Sequence, residues 1–312
     1  MPKKTPKIVK EVWNSSIQED RAKNKHISYS QLSIFATCQK QWADRYIKGL
    51  APYTPSIHTV FGSAFHETMQ SWLEVLYHGK VKDADEMDVD SLLYENMIKE
   101  YQSSKKQNGG EHLSTLEELQ MFWLDGKHIF EFLKKKRRAY FTTKGVYLAG
   151  IETLLYQELR PGVMFKGFID LVFYDERVDE WTIVDIKTST SGWNKWAKAD
   201  DKKKAQLLLY KEFFSKQFNI PLDKIKVEYF IVKRRVPKDA EFAAMQKRVQ
   251  EFRPTDGPRK MKEAVGLMEN FVSQAVDMDG NYIDKQYPTN PSKNACRFCP
   301  IKELRLCPDA IF

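Results

Sequence analysis

The sequence predicts an α/β fold with a helical N-terminal region and a C-terminal cysteine cluster, and three observations carry that reading. Apolar residues recur at helical spacing through 27–140, the apolar period changes to two from Val146, and the chain closes on Cys296-x2-Cys299-x7-Cys307. With 312 residues, 42% hydrophobic and 13% aromatic, the chain can bury the core of one large domain or two ordinary ones. The 50 Lys and Arg against 42 Asp and Glu leave a charge of +8, which suits a polyanionic partner and equally a plain basic protein. The opening MPKKTPKIVKEVW has no apolar signal core, and no apolar run is long enough to cross a bilayer. A cytoplasmic protein with no membrane partner is therefore expected. Four cysteines are too few for a disulfide scaffold, and in a reducing compartment such a cluster reads as a metal site.

Taken in order, residues 1–26 are Lys-rich and patternless and read as a basic, flexible arm. The helical region, 27–140, opens with ISYSQLSIFATCQKQWADRYI, where Ser28 or Ser30 can cap and Leu32, Phe35, Ala36, Trp42 and Tyr46 recur at helical spacing. Cys38 falls inside that helix. Further helices are expected over 61–78, 91–106 and 114–138, the last two separated by Gln107-Asn108-Gly109-Gly110. Strands are expected over 146–159, 164–174 and 181–188, joined across Arg160-Pro161-Gly162 and across DERVDE, which makes an antiparallel meander. A helix over 203–217, a fourth strand in VEYFIVKRR and a helix over 257–276 follow. The core is expected over 141–235, with 236–312 supplying a C-terminal helix and the cysteine segment. There is no internal repeat and no Gly-x4-Gly-Lys-Ser/Thr phosphate loop, so a nucleotide-driven motor of that type is excluded.

Within WTIVDIKTST two charges interrupt an apolar strand. Side chains alternate along a strand, so Ile183, Asp185 and Lys187 share one face while Thr182, Val184 and Ile186 share the other. Burying charges costs several kcal/mol, roughly, unless they are paired or bind a metal. Asp-x-Lys alone is weak, since it recurs at 125/127, 200/202 and 201/203. The neighbouring KGFIDLVF sharpens it, because a hairpin symmetric about Arg177 and Val178 sets Asp170 opposite Asp185. Opposed residues have Cβ atoms ~5 Å apart, so either one carboxyl is protonated or a divalent cation sits between them. The lysine favours the cation. In another register both aspartates are merely solvated.

Gly167-x-x-Asp170, then Asp185-Ile186-Lys187-Thr188, then Gln206-x-x-x-Tyr210 resemble the PD-(D/E)XK nuclease superfamily in its RecB-like branch. The resemblance implies a restriction-endonuclease-like core, a mixed sheet flanked by helices. It also implies that Asp170 and Asp185 bind Mg²⁺ or Mn²⁺ with the Ile186 carbonyl, and that Lys187 positions or deprotonates the attacking water. Gln206 and Tyr210 lie one helical turn apart, so they share a helix face; the resemblance places them by the substrate strand or the lysine, whereas the residues alone fit an amphipathic helix with Tyr210 near the core. FGSAFHETM resembles the Gly-x-x-x-His element of the same branch, which implies that His66 is a metal ligand, and Glu152 stands where the branch often has an acid.

The Cys-x2-Cys pair with Cys307 and the distant Cys38 offers four thiolates, a donor set that suits a [4Fe–4S] cluster or Zn²⁺. In RecB-like iron–sulfur nucleases, including AddB-type subunits and CRISPR-associated adaptation nucleases, one cysteine precedes the core and three follow. The layout here is similar, although the last gap, seven residues, is longer than is common there. Either metal would staple the two ends of the chain. KKKRR at 134–138, KKK at 202–204 and KRR at 233–235 read as solvated faces or, for the latter two with Trp193 and Trp196, as a cationic groove with aromatic surfaces for bases. The function expected is phosphodiester hydrolysis by metal-activated water, exonucleolytic on single strands or duplex ends of DNA. Recombination, repair or phage DNA metabolism is the expected setting, alone or beside a separate helicase or recombinase. The alternatives are a non-catalytic DNA-binding or assembly subunit on the same fold, and a zinc-stapled RNA-processing enzyme.

Overall fold

A computed structural model describes residues 4–15, 25–50, 56–112, 114–237, 247–297 and 299–311. Its centre is the predicted meander: β2 (Val146–Arg160), β3 (Val163–Asp175) and β4 (Glu180–Ser189), each slightly longer than its apolar alternation. β2 runs antiparallel along the whole of β3, and β4 pairs with the opposite edge of β3 from Leu171↔Val184 to Asp175↔Glu180. β1 (Lys25–Ile27) lies parallel to β3 between Lys25↔Val163 and Ile27↔Phe165. β5 (Ile225–Lys233) is parallel to β4, and β6 (Val249–Phe252) closes the sheet antiparallel to β5. The sheet is therefore mixed.

Helices cover both faces. In chain order they are α1 (Lys7–Trp13), α2 (Tyr29–Thr37), α3 (Gln39–Tyr46), α4 (Ile57–His78), α5 (Val81–Glu86), α6 (Val89–Gln107), α7 (Leu116–Lys135), α8 (Arg137–Tyr140), α9 (Lys195–Ala199), α10 (Asp201–Phe218), α11 (Pro258–Ala275), α12 (Lys293–Cys296) and α13 (Pro300–Glu303). One buried cluster sets Val9, Leu32, Phe214 and Phe271 from α1, α2, α10 and α11 against Ile183 and Tyr229 of the sheet. The other sets Phe61, Phe65 and Phe130 of α4 and α7 against Leu171, Ile186 and Phe230. The helices of 27–140 thus pack as layers of the sheet's own core. Among the described residues no helix is long and apolar enough to cross a membrane.

The structure corrects the sequence reading in four places. Residues 7–13 form a helix, where a flexible arm was expected, because Val9 and Val12 lie on one helical face and both are buried. The helix expected to run through Cys38 breaks there: Cys38 is extended, with φ −156° and ψ 111°, and ends α2 as it begins α3. The helix expected over 114–138 stops at Lys135, and the short α8 follows it. β1 and β6 are only three and four residues long, too short to show a period, and tertiary pairing alone defines them.

Candidate active site

The alternation of β3 breaks at Asp170. Ile169 belongs to the first core and Leu171, two residues on, to the second. β2 does the same at Glu152, with Leu155 in the first core and Ile151 against the second. Since Ile151 pairs with Leu171 and Thr153 with Ile169, Glu152 and Asp170 stand level with each other. Glu152 has φ +47°, a left-handed conformation that costs a non-glycine residue on the order of 1–3 kcal/mol and is typically kept at functional sites. On the other edge, Leu171 pairs with Val184, so the next step of that register sets Asp170 level with Asp185. Three acidic residues thus form a row across adjacent strands.

Asp170 does not continue the ladder with its backbone; its Oδ2 accepts the Ile186 N–H at 2.6 Å. Asp185 is 2% exposed, and its Oδ1 accepts from Gln206 Nε2 at 2.9 Å. Its Oδ2 is buried and is faced only by the Lys187 ammonium, 2.6 Å away, as an ion pair. Burial pushes Asp170 up to about 6, against the pull of Lys187 and the Ile186 N–H. It does the same to Asp185, also up to about 6, with Lys187 lowering and Asp170 raising it further. For Lys187, burial works to lower the pKa, but Asp185 and Asp170 outweigh it and the ammonium is held above its ordinary value.

Two helices complete the site, each with one face. On α4, Gly62, His66 and Gln70 follow at four-residue spacing and look onto the sheet. Gly62 sits against Thr188, where a Cβ would lie 3.6 Å from its Oγ1. His66 Nδ1 is 3.5 Å from Asp170 Oδ2, and burial lowers the imidazole pKa, so the ring is neutral at neutral pH. Gln70 donates to Glu152 Oε1 at 2.6 Å and, more weakly at 3.4 Å, to the Asp170 carbonyl. Sequence reasoning missed Gln70, although it stands one helical turn beyond His66. On α10, the Gln206 amide that holds Asp185 also donates to the Tyr210 hydroxyl at 3.3 Å. Burial pushes the Tyr210 phenol well above its ordinary value. The Tyr210 ring can lie on β3 because residue 167 is glycine: a Cβ there would meet Phe165 Cε1 and Tyr210 Cε1 at 3.0 Å each.

The cysteines gather elsewhere. Cys38, Cys296, Cys299 and Cys307 line one cavity, to which Lys40 N–H→Pro288 O and Asn290 Nδ2→Thr37 O bring the two ends of the chain. Burial pushes the Cys299 thiol up, with Cys38 and Cys296 adding to the shift. The basic clusters are largely tied down. Arg137 pairs with Asp85, Lys204 with Asp201, and Arg234, 5% exposed, pairs with Asp125 and lies over the Phe122 ring. Trp193 packs on Tyr229 and Phe252, while Trp196 is 73% exposed.

The donors present fit a hard divalent cation: two carboxylates, one of them with a buried oxygen that only the Lys187 ammonium faces, and a neutral imidazole favour Mg²⁺ or Mn²⁺ over a soft metal. Among the described residues no three His, Cys, Asp or Glu side chains are already closed around one point, at the carboxylates or at the cysteines. A mixed sheet whose neighbouring strands bring an Asp against an Asp-x-Lys defines a class of phosphodiester hydrolases. The PD-(D/E)XK nuclease superfamily matches residues 26–308, and the chain belongs to that superfamily. Nucleases of this superfamily generally use Mg²⁺ or Mn²⁺. Among solved structures it is similar to a presumed exonuclease from Eubacterium rectale, with 13% identity and a TM-score of 0.44 over 83% of this chain and 85% of that one. No curated protein matches.

Proposed function

We propose that this chain is a RecB-like deoxyribonuclease that hydrolyses phosphodiester bonds with Mg²⁺ or Mn²⁺, as an exonuclease on single strands or duplex ends. The observation that carries the reading is the Asp185 carboxylate: it is buried, level with a second aspartate, and has one oxygen faced only by the ammonium of Lys187. Asp170, Asp185, the Ile186 carbonyl and His66 would hold the cation, with Glu152 at the edge of the set. When bound, it would lower the pKa of a water and neutralise phosphate charge. The protein's part is positioning. Gln206 fixes the rotamer of Asp185 through Oδ1, and the Ile186 N–H fixes that of Asp170. Lys187, kept charged at neutral pH by both carboxylates, orients the attacking water and offsets phosphate charge; as an ammonium it is a poor proton acceptor. Tyr210 stays a neutral phenol and supports the Gln206 amide.

The four cysteines are proposed to hold a [4Fe–4S] cluster that staples the chain ends, Zn²⁺ being the alternative. The enzyme would act in cytoplasmic DNA metabolism, alone or with a separate helicase or recombinase. The test is degradation of end-labelled single-stranded DNA, duplex DNA and RNA with Mg²⁺ or Mn²⁺, by wild type and by Lys187→Ala. Metal-dependent loss of label from DNA ends, abolished by the substitution, is the expected result. DNA bound but uncut under every metal condition would leave a binding or assembly subunit instead, and cleavage of RNA alone would make it an RNA-processing enzyme.

A further inference from the structure

We propose that the open edge of β3 beside the carboxylates is a nucleotide subsite, in which the Phe168 ring stacks the base next to the scissile phosphate. The inference rests on the nuclease reading above and deepens it. β2 fills one edge of β3. On the other edge β1 pairs only as far as Phe165 and β4 only from Leu171, and at Asp170 the link to β4 is the side chain on the Ile186 N–H, so along that edge no described strand pairs with β3 from residue 166 to 169. A groove of about 360 Å³ opens at this gap, lined by Lys166, Gly167, Phe168, Tyr29, Gln206 and Tyr210. It adjoins the site at Gln206, the residue that holds Asp185. Its size falls in the roughly 300–1,000 Å³ usual for small-ligand sites.

The lining chemistry points to a nucleotide. Phe168 is 42% exposed, a large apolar ring left in water two residues before Asp170 on a strand whose other face is buried. The Lys166 ammonium stands 5.5 Å from the centre of that ring, which suits a base with its phosphate better than a purely apolar ligand. At Gly167 the floor has no side chain, and the Tyr210 ring fills the space behind it. A peptide adding as a strand would need a longer free edge than β1 and β4 leave. Stacking on an aromatic ring does not discriminate bases, so the subsite grips any sequence. Phe168 is accordingly a positioning residue: it sets where the strand rests, and the carboxylates act on the adjoining phosphate.

The experiment uses single-stranded oligonucleotides carrying 2-aminopurine at successive positions, whose fluorescence falls on stacking. Binding is read with Mg²⁺ in the Lys187→Ala background, and cleavage in the wild-type background, each with Phe168→Ala and Phe168→Trp. The expected result is quenching at one position next to the cleaved linkage. Phe168→Ala should lose it, with affinity weaker by roughly ten-fold, the scale of one base–aromatic stack, and with KM raised more than kcat is lowered. Phe168→Trp should restore both. Quenching and KM unchanged in Phe168→Ala, with cleavage intact, would overturn the subsite and leave the nuclease reading standing. Quenching that depends on Phe168 in a protein that cuts nothing would do the reverse. Binding of a fluorescein-labelled strand-forming peptide, lost in Phe168→Ala, with no quenching of any oligonucleotide, would overturn the choice of ligand.

Discussion

Asp185 combines near-complete burial with a lysine on one oxygen and a second carboxylate level with it, and its chemistry follows from that conflict. In the unfolded chain both aspartates titrate near 3.8, and in the folded, metal-free protein burial raises both to about 6. The folded state therefore binds more protons between about pH 4 and pH 6, so metal-free stability falls as pH rises through that window and stays lower above it. Asp170→Asn removes one such group while keeping an acceptor for the Ile186 N–H. Relative to wild type it should be more stable at pH 8, on the order of 1–3 kcal/mol, with the difference vanishing near pH 4; equal melting temperatures at both pH values would refute the raised carboxyl. Ionised carboxylates are needed to take up a cation, so at sub-saturating metal activity should fall as pH drops towards the range in which they protonate, and added metal should move that fall to lower pH. Lys187→Ala should cut kcat roughly 10²–10³-fold, the scale of a lost electrostatic stabiliser, and should also lower the melting temperature, because Asp185 loses its ion-pair partner; a loss of only a few fold in kcat would remove Lys187 from the chemistry.

At the scale of elements, the site is three strands level with one another and two helix faces laid on them. The strands were legible: the alternation from Val146 and the symmetric hairpin about Arg177 and Val178 give the register that the ladder holds, Leu171 with Val184. Gln206 and Tyr210 one turn apart on a helix were legible for the same reason, a period that a single segment carries within itself. What was not legible depends on segments meeting. Glu152 adopts φ +47° at the point where β2 and β3 change faces together, and neither strand alone announces that. Likewise nothing local marks Cys38 as a helix break, or Arg234 as a buried pair with Asp125 in place of a DNA-facing cation. The close approach of α10 to β3 makes a further prediction. In Gly167→Ala the new methyl must displace the Tyr210 or Phe165 ring, both inside the first core. Stability should drop by about 1–3 kcal/mol, and activity should fall as Gln206 loses its hold on Asp185; wild-type activity would show that the α10 contact does not position the carboxylate.

At the scale of the whole molecule, the chain is closed on itself at the cysteine cavity, where its two ends meet through Lys40, Pro288, Thr37 and Asn290. A cross-link between such distant segments restrains the unfolded chain more than a local one would. Cys38→Ser and Cys299→Ser should therefore lower both bound iron or zinc and the melting temperature, and a chelator should act on wild type in the same direction; metal content near zero in wild type would leave four free thiols and no staple. The sheet and its carboxylate row are separate from that cavity, and the central claim concerns them: Asp170 and Asp185 hold one divalent cation for hydrolysis. The direct measurement is a titration of Mn²⁺ into wild type and Asp185→Asn near pH 8, following the loss of the free-ion electron paramagnetic resonance signal in the presence of a non-hydrolysable oligonucleotide. The account predicts saturable binding by wild type that is at least ten-fold weaker, roughly, in the variant, since losing even an outer-shell partner of a ligand costs about that much. Equal uptake by both proteins would contradict it.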